Sequence, residues 1–328
     1  MEYVIKIDRD FSISQQLWDS LYSQDKESTI YQSYQWNKHF YFNLSSKLKL
    51  HNLIFYHNKN CIAIFPLIER ICNNNIILEF IGSRMVDYLS PIVLEDHKQH
   101  IYEKFKCYIK NNNYSFYGYD IKSNHSLCKC FSNKFNTIEI CYLKQNTSLP
   151  ISIVKENEYD KRYLSKNFTY SIEDTSDIND YYEHITLYLE NMKNIKKHTI
   201  DEELKDFWKD YISSNIDNLH CINLKIEKEL AYSILYEIKD NKLFLINYAF
   251  NICFKKYAPG KLLLMHLIKE YLSKFDIDFS RGKDEYKIKF GCEVDSNIKF
   301  LYPVNNVLWG ALNKLEFNIG FFPHKQLS

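Results

Sequence analysis

The sequence predicts a mixed α/β protein, α+β in the arrangement of its elements. It is expected to form two tandem units, each a mostly antiparallel mixed sheet flanked by helices. Three observations predict this. A chain of 328 residues is long for one hydrophobic core, so two medium units are the natural division. Strand signals at 219–226, 230–238 and 243–250 are joined by turns too short for crossovers, which requires antiparallel pairing. Helical periodicity precedes and follows that meander, at 178–193, at 201–217 and again after Pro259.

Taken in order, 3–7 alternates as a strand, 15–22 is helical, and 37–44 is a further helix. Apolar runs at 50–56 and 61–68 flank His57-Asn-Lys-Asn60, a hairpin signal. A strand at 76–81 ends at Gly82. The helix at 98–111 carries Ile101, Phe105, Tyr108 and Ile109 on one stripe. Strands at 114–119 and 137–143 complete the first unit. The segment 145–158 has Pro150 and weak periodicity, so the division is set there, giving units of 1–150 and 151–328. In the second unit, Asp201, Glu202 and Glu203 suit a helix start. Lys193, Lys196, Lys197 and His198 form a basic cluster, either a phosphate contact or a solvated helix end. A helix runs from Gly260 to about Lys274, and a last one spans 307–317.

Composition narrows the function. The chain is 45% hydrophobic and 25% charged, as in soluble globular proteins. With 42 Lys and Arg against 41 Asp and Glu the net charge is +1, which argues against a surface built for long nucleic acid. Only 7 Gly among abundant Asn, Lys, Ile and Tyr point to base composition, so the 27 Tyr are no evidence for a stacking surface. The nine Cys lack a CxxC or a framework spacing and fit reduced thiols in a cytoplasm. No metal-ligand spacing, signal peptide or membrane span is expected. There is no Walker loop or nucleophile elbow, and no Cys stands out as a nucleophile.

The most information-rich stretch is Phe275-Asp-Ile-Asp-Phe-Ser-Arg-Gly-Lys-Asp-Glu-Tyr-Lys-Ile-Lys-Phe-Gly291. Phe275, Ile277 and Phe279 alternate with acids as a strand, a charged loop follows around Gly282, and 286–290 resumes an extended pattern. A loop at a strand end behind a helix is where an α/β domain usually keeps its chemistry.

Together with Tyr257-Ala-Pro-Gly-Lys-Leu-Leu-Leu264, this stretch resembles the SPG-x-LL … DF-x-RG-x-x-x-YK-x-x-(F/W)G signature of the CelD-like subgroup of GNAT-type N-acyltransferases. The first half is similar to the same subgroup at Tyr31-Gln-Ser-Tyr-Gln-Trp36, Ala63-Ile-Phe-Pro-Leu67, Phe80-Ile-Gly82 and Asp87-Tyr88-Leu89. The resemblance implies two GNAT-like modules in tandem, as in Fem-type aminoacyltransferases. It implies acyl-CoA, acetyl-CoA in the simplest case, as co-substrate, with the pyrophosphate on the N–H groups of Gly260, Lys261 and Leu262 at a helix start. It also implies a small-molecule or glycan amine as acceptor, plausibly an amino sugar or other surface-polysaccharide precursor.

Within that frame Asp278 either orients or deprotonates the amine, or is a buried acid paired to Arg281 or Lys287. Arg281 and Lys287 suit a phosphate or an oxyanion, and a lysine in a similar context lies at the Fem-type reaction centre. Tyr286 is either the acid that protonates the leaving thiolate or a packing residue. Asp87 and Tyr88 are either substrate contacts or turn residues before Pro91. Two other readings stay open: aminoacyl transfer from charged tRNA, and a non-catalytic binding protein on the same fold.

Overall fold

The computed structural model describes residues 3–83, 85–194, 202–303 and 305–318. The predicted basic residues Lys196, Lys197 and His198, and Asp201, lie outside the described residues. In chain order the elements are β1 (Tyr3–Asp8), α1 (Gln15–Tyr22), α2 (Tyr34–Phe40), β2 (Lys49–Leu50), β3 (Asn52–His57), β4 (Asn60–Phe65), β5 (Leu67–Cys72) and β6 (Asn75–Phe80). Then follow β7 (Ile92–Val93), α3 (Lys98–Asn111), β8 (Ser115–Lys122), β9 (Phe135–Leu143), α4 (Ile151–Asn167), β10 (Tyr170–Thr175), α5 (Ile178–Asn194) and α6 (Glu202–Asn215). The chain closes with β11 (Leu219–Ile226), β12 (Glu229–Lys239), β13 (Lys242–Phe250), α7 (Pro259–Tyr271), β14 (Asp276–Arg281), α8 (Glu285–Lys289), β15 (Glu293–Tyr302) and α9 (Asn306–Asn318).

Two compact units result, but they do not divide at 150/151: one is 1–138 together with the chain from Ser296 onward, the other 139–295. The first unit holds the four-stranded order β1-β3-β4-β7 and the strand order β15-β8-β6-β5-β2, in which β6 and β8 run parallel. Helix α3 buries Ile101, Tyr102, Phe105 and Ile109. Tyr108, expected on that buried stripe, instead meets His51 Nε2 at 2.6 Å.

The second unit orders its strands β10-β11-β12-β13-β14-β9, antiparallel except for the parallel β13–β14 pair. The predicted meander is present. Leu263, Leu267 and Ile268 of α7 pack with Leu224, Ile234 and Leu245 on one face of this sheet. On the other face α5 places a buried His184 against Ser233 (2.7 Å) and Asn247 (2.5 Å).

Two elements differ from the sequence reading. Helix α4 occupies residues where only Pro150 and weak periodicity were visible. Its buried residues are Ile153, Asn157 and Leu164, too few for an apolar stripe. Instead its acids meet α7: Glu156 and Asp160 pair with Lys261 (3.2 and 2.6 Å) and Glu158 with Lys269 (3.2 Å). The second correction concerns 285–289, which is helix α8 and not an extended strand. Asp284 O accepts the N–H groups of Lys287 and Ile288, Glu285 pairs with Lys289 one turn on (2.8 Å), and Gly291 at φ 89° ends the turn. The alternation misled because here the charged Lys287 is buried while Tyr286 and Ile288 are not.

Candidate functional site

The site in the second unit begins with a fork. β13 and β14 pair in parallel from Lys242 opposite Asp276 to Phe244 opposite Asp278, and pairing stops there although both strands continue. Two irregularities drive them apart. Against β12, Leu235 faces Asn247 and Tyr236 faces Leu245, so Ile246 is the extra residue of a bulge. On β14, Ser280 adopts φ 59° and the register against β9 slips between Asp278 and Arg281. The Ser280 hydroxyl donates to Leu245 O (2.8 Å) and its N–H to Asp278 Oδ1 (2.8 Å), which fixes the distorted strand end.

Beside the fork lies a cavity of about 320 Å³. Tyr232 and Ile234 of β12 and Tyr248 of β13 line one side, and Gly260, Lys261 and Leu264 of α7 line another. Tyr286 and Lys289 of α8, Phe290 just after it, and Ile153 and Glu156 of α4 complete the lining. The walls are apolar apart from three phenols and a charged rim. The Tyr286 hydroxyl donates to that of Tyr248 (3.4 Å), which in turn donates to Phe279 O (3.5 Å). Desolvation raises the phenols of the partly buried Tyr232 and of the partly exposed Tyr286 above the ordinary range, so both keep their protons at neutral pH.

Gly260 owes its identity to this cavity. A Cβ there would stand 2.6 Å from Cε2 of Tyr232, so the helix start lies directly on the ring. Elsewhere in a helix Gly→Ala stabilises by about 1 kcal/mol. Gly260→Ala is expected to destabilise by about 1–3 kcal/mol through overpacking, read as a lowered melting temperature.

The structure brings together some of the predicted residues and separates others. Gly260, Lys261 and Tyr286 line the cavity, while Leu262 is buried in the core behind it. Of the three amides proposed for a pyrophosphate, those of Lys261 and Leu262 are already given to Ala258 O (3.1 and 3.2 Å). Only the Gly260 N–H is left at that helix start, because Pro259 has none. Lys261 itself is held by Glu156 and Asp160.

Asp278 is 4% exposed and sits at the vertex of the fork. Ile277 and Phe279 belong to the core under α7, so strand alternation turns Asp278 to the opposite face of the sheet. Lys287 does not reach the cavity. Its ammonium donates to Phe279 O (3.1 Å), Arg281 O (2.6 Å) and Gly282 O (2.9 Å), and its ion pair is with Asp284 (3.4 Å). Arg281 contributes that carbonyl at the end of β14.

In the first unit Asp87 Oδ2 accepts from Tyr31 (3.1 Å), and its carbonyl accepts from Asn297 (2.5 Å). Tyr88 is 1% exposed, with Lys122 Nζ 4.4 Å above its ring. These contacts tie the turn to Tyr31, Lys122 and Asn297 of the same unit. The cavity residues that sequence reasoning did not assign to a site include Tyr232, Ile234, Tyr248, Ile153 and Glu156. Tyr232 carried a usable signal, a bulky aromatic on a strand facing a helix that opens with Gly. Among the described residues no group of His, Cys, Asp and Glu is placed to hold a metal ion, and no helix is long and apolar enough to cross a membrane.

No family model and no curated protein matches the sequence. Solved structures do match its fold. FemX aligns with a TM-score of 0.64 at 10% identity, over 94% of this chain and 99% of that one. The C-terminal domain of a putative lysylphosphatidylglycerol synthetase from Agrobacterium fabrum aligns at 0.62 and 8%, over 92% and 95%. L-PGS from Bacillus licheniformis aligns at 0.62 and 12%, over 94% and 97%. The fold is therefore shared with these structures, and the mixed α+β architecture read from the sequence is the observed one.

Proposed function

We propose that this protein is a transferase that moves an activated acyl group onto a primary amine by direct attack, with the cavity of the second unit as its donor site. The observation that carries this reading is the fork between β13 and β14 with the cavity beside it. A gap between two parallel strands admits an extended thioester or ester edge-on, and irregular backbone at its mouth offers N–H groups to the carbonyl oxygen.

In the transfer the amine nitrogen attacks the acyl carbon, the C–N bond forms, and the bond from that carbon to the leaving sulfur breaks. The amine gives up a proton and the thiolate takes one. Tyr286 is the acid in this scheme, since its phenol faces the cavity and stays protonated. Asp278, at the vertex and on the opposite face, is suited to receive the amine proton from an acceptor approaching on that side. Lys287 acts at a distance, as a positioning residue that holds the backbone around Phe279 and Gly282.

Acyl-CoA is the donor of the leading reading. The acceptor as an amino sugar or polysaccharide precursor rests on the CelD-like resemblance alone. Isothermal titration with CoA and acetyl-CoA tests the donor: saturable heat with a micromolar Kd is expected, and none at high micromolar ligand rejects it.

One observation favours a second donor, an aminoacyl ester carried by tRNA. Glu156 and Asp160 both pair with Lys261, and two of the helix-start amides are spent, so the seat that a diphosphate would need is largely committed. An aminoacyl ester brings no CoA diphosphate to that helix start. A gel shift with charged tRNA at low and at moderate salt separates the two donors.

A further inference from the structure

The cavity under α7 is larger and less polar than an acetyl group needs. At about 30 Å³ per water-sized atom, its volume of about 320 Å³ has room for on the order of ten heavy atoms. An acetyl group would leave most of that space to water held against Ile153, Ile234, Leu264 and Phe290, an unfavourable exposure of apolar surface. The anion-binding features one would look for at the start of α7 are largely committed elsewhere, Lys261 to two carboxylates and two amides to Ala258 O. Polar recognition inside comes instead from phenols. The Tyr286 hydroxyl bonds that of Tyr248, which bonds Phe279 O, a chain of phenols along the cavity wall.

We infer that this cavity binds the acyl group itself, and that the acyl group is apolar and larger than acetyl, branched or aromatic, so that the chain and not the diphosphate selects the donor. This rests on the acyltransferase reading and adds to it the substrate class. The ring of Tyr232, seated on Gly260, forms a rigid wall of the cavity, and Leu264 one turn into α7 faces the same space. The rival occupant of the same space is the pantetheine arm of CoA, which every CoA ester shares.

The test measures Kd by isothermal titration for two series. One is CoA with its acetyl, isovaleryl and phenylacetyl thioesters, and the other the N-acetylcysteamine thioesters of the same acyl groups. Affinity is expected to rise at least about tenfold from acetyl to phenylacetyl in both series, as burial of the added apolar surface requires. Leu264→Trp, which fills the cavity, is expected to abolish that rise. Tyr286→Ala, at a residue 38% exposed, widens the cavity and is expected to move the preference toward still larger groups.

A flat series in the wild type overturns the inference, as does a rise that survives Leu264→Trp in a folded variant. Loss of plain CoA binding in Leu264→Trp also overturns it, because that outcome assigns the cavity to pantetheine. Should Leu264→Trp not fold, an unchanged preference in Tyr286→Ala decides against it. The donor reading fails separately. Graded binding in the short series without any CoA binding rejects CoA and keeps the acyl site, while CoA binding with no grading does the reverse.

Discussion

Replacing Lys287 by Met is expected to cost about 2–4 kcal/mol of stability, because buried carbonyls lose a charged donor. The residue is 1% exposed, and its three protons meet the carbonyls of Phe279, Arg281 and Gly282. Those carbonyls converge because the backbone there is left-handed twice, at Ser280 (φ 59°) and Gly282 (φ 91°). Without the ammonium these carbonyls lose their charged donor in the interior, and the strained strand end loses its clamp. For a unit of this size the loss corresponds to a fall in Tm of roughly 10 °C. Arginine is expected to rescue poorly, since a planar guanidinium does not serve three acceptors gathered around one point. The experiment also separates two roles. A lysine at the reaction centre would lose turnover with its melting curve unchanged, whereas a backbone clamp loses melting temperature first.

That role was not legible in the sequence, and the reason is general to this stretch. Tyr286, Lys287, Ile288, Lys289 and Phe290 alternate, and alternation reads as a strand with its apolar residues inward. The fold inverts this. The lysine goes inward because carbonyls of a distorted strand await it, and that distortion depends on a residue pair, Ser280 and Leu245, far apart in sequence. By contrast the meander, the helix after Pro259 and the strand at Ile277 were readable, because local period and short turns determine them without reference to distant partners. Helix α4 was hidden for the opposite reason: its contacts with α7 are charge pairs, which leave no apolar stripe. The return of the chain from Ser296 onward to the first unit could not be read either, since period two says that β15 is a strand and nothing about which strand it joins. Within the site, Gly260 and Tyr286 were found by motif. Their partners Tyr232 and Tyr248 look like any other of the 27 Tyr until the fold sets them around one cavity.

A second large effect is expected from Glu237, which is buried in β12, where Tyr211 donates to it, as does Asn215 at 2.8 Å. Burial raises its carboxyl to about 8, against an ordinary value of 4.5. Between those two values the native protein holds a proton that the unfolded chain has released. The stability contribution is therefore complete below pH 4.5, declines as pH rises, and is exhausted above pH 8. Inside the window the slope is about 1.4 kcal/mol per pH unit. His184 works in the other direction, its imidazole lowered to about 4 by burial, so that it destabilises only as pH falls below its unfolded value of 6.5. Melting measured from pH 6.5 upward thus isolates the carboxyl from this histidine. The wild type is expected to lose roughly 5 °C between pH 6.5 and 8, and Glu237→Gln, which carries no charge in either state, is expected to lose much less. Equal slopes in the two proteins would mean that Glu237 is ionised in the fold, and the buried carboxyl would then need a cation that Tyr211 and Asn215 do not supply.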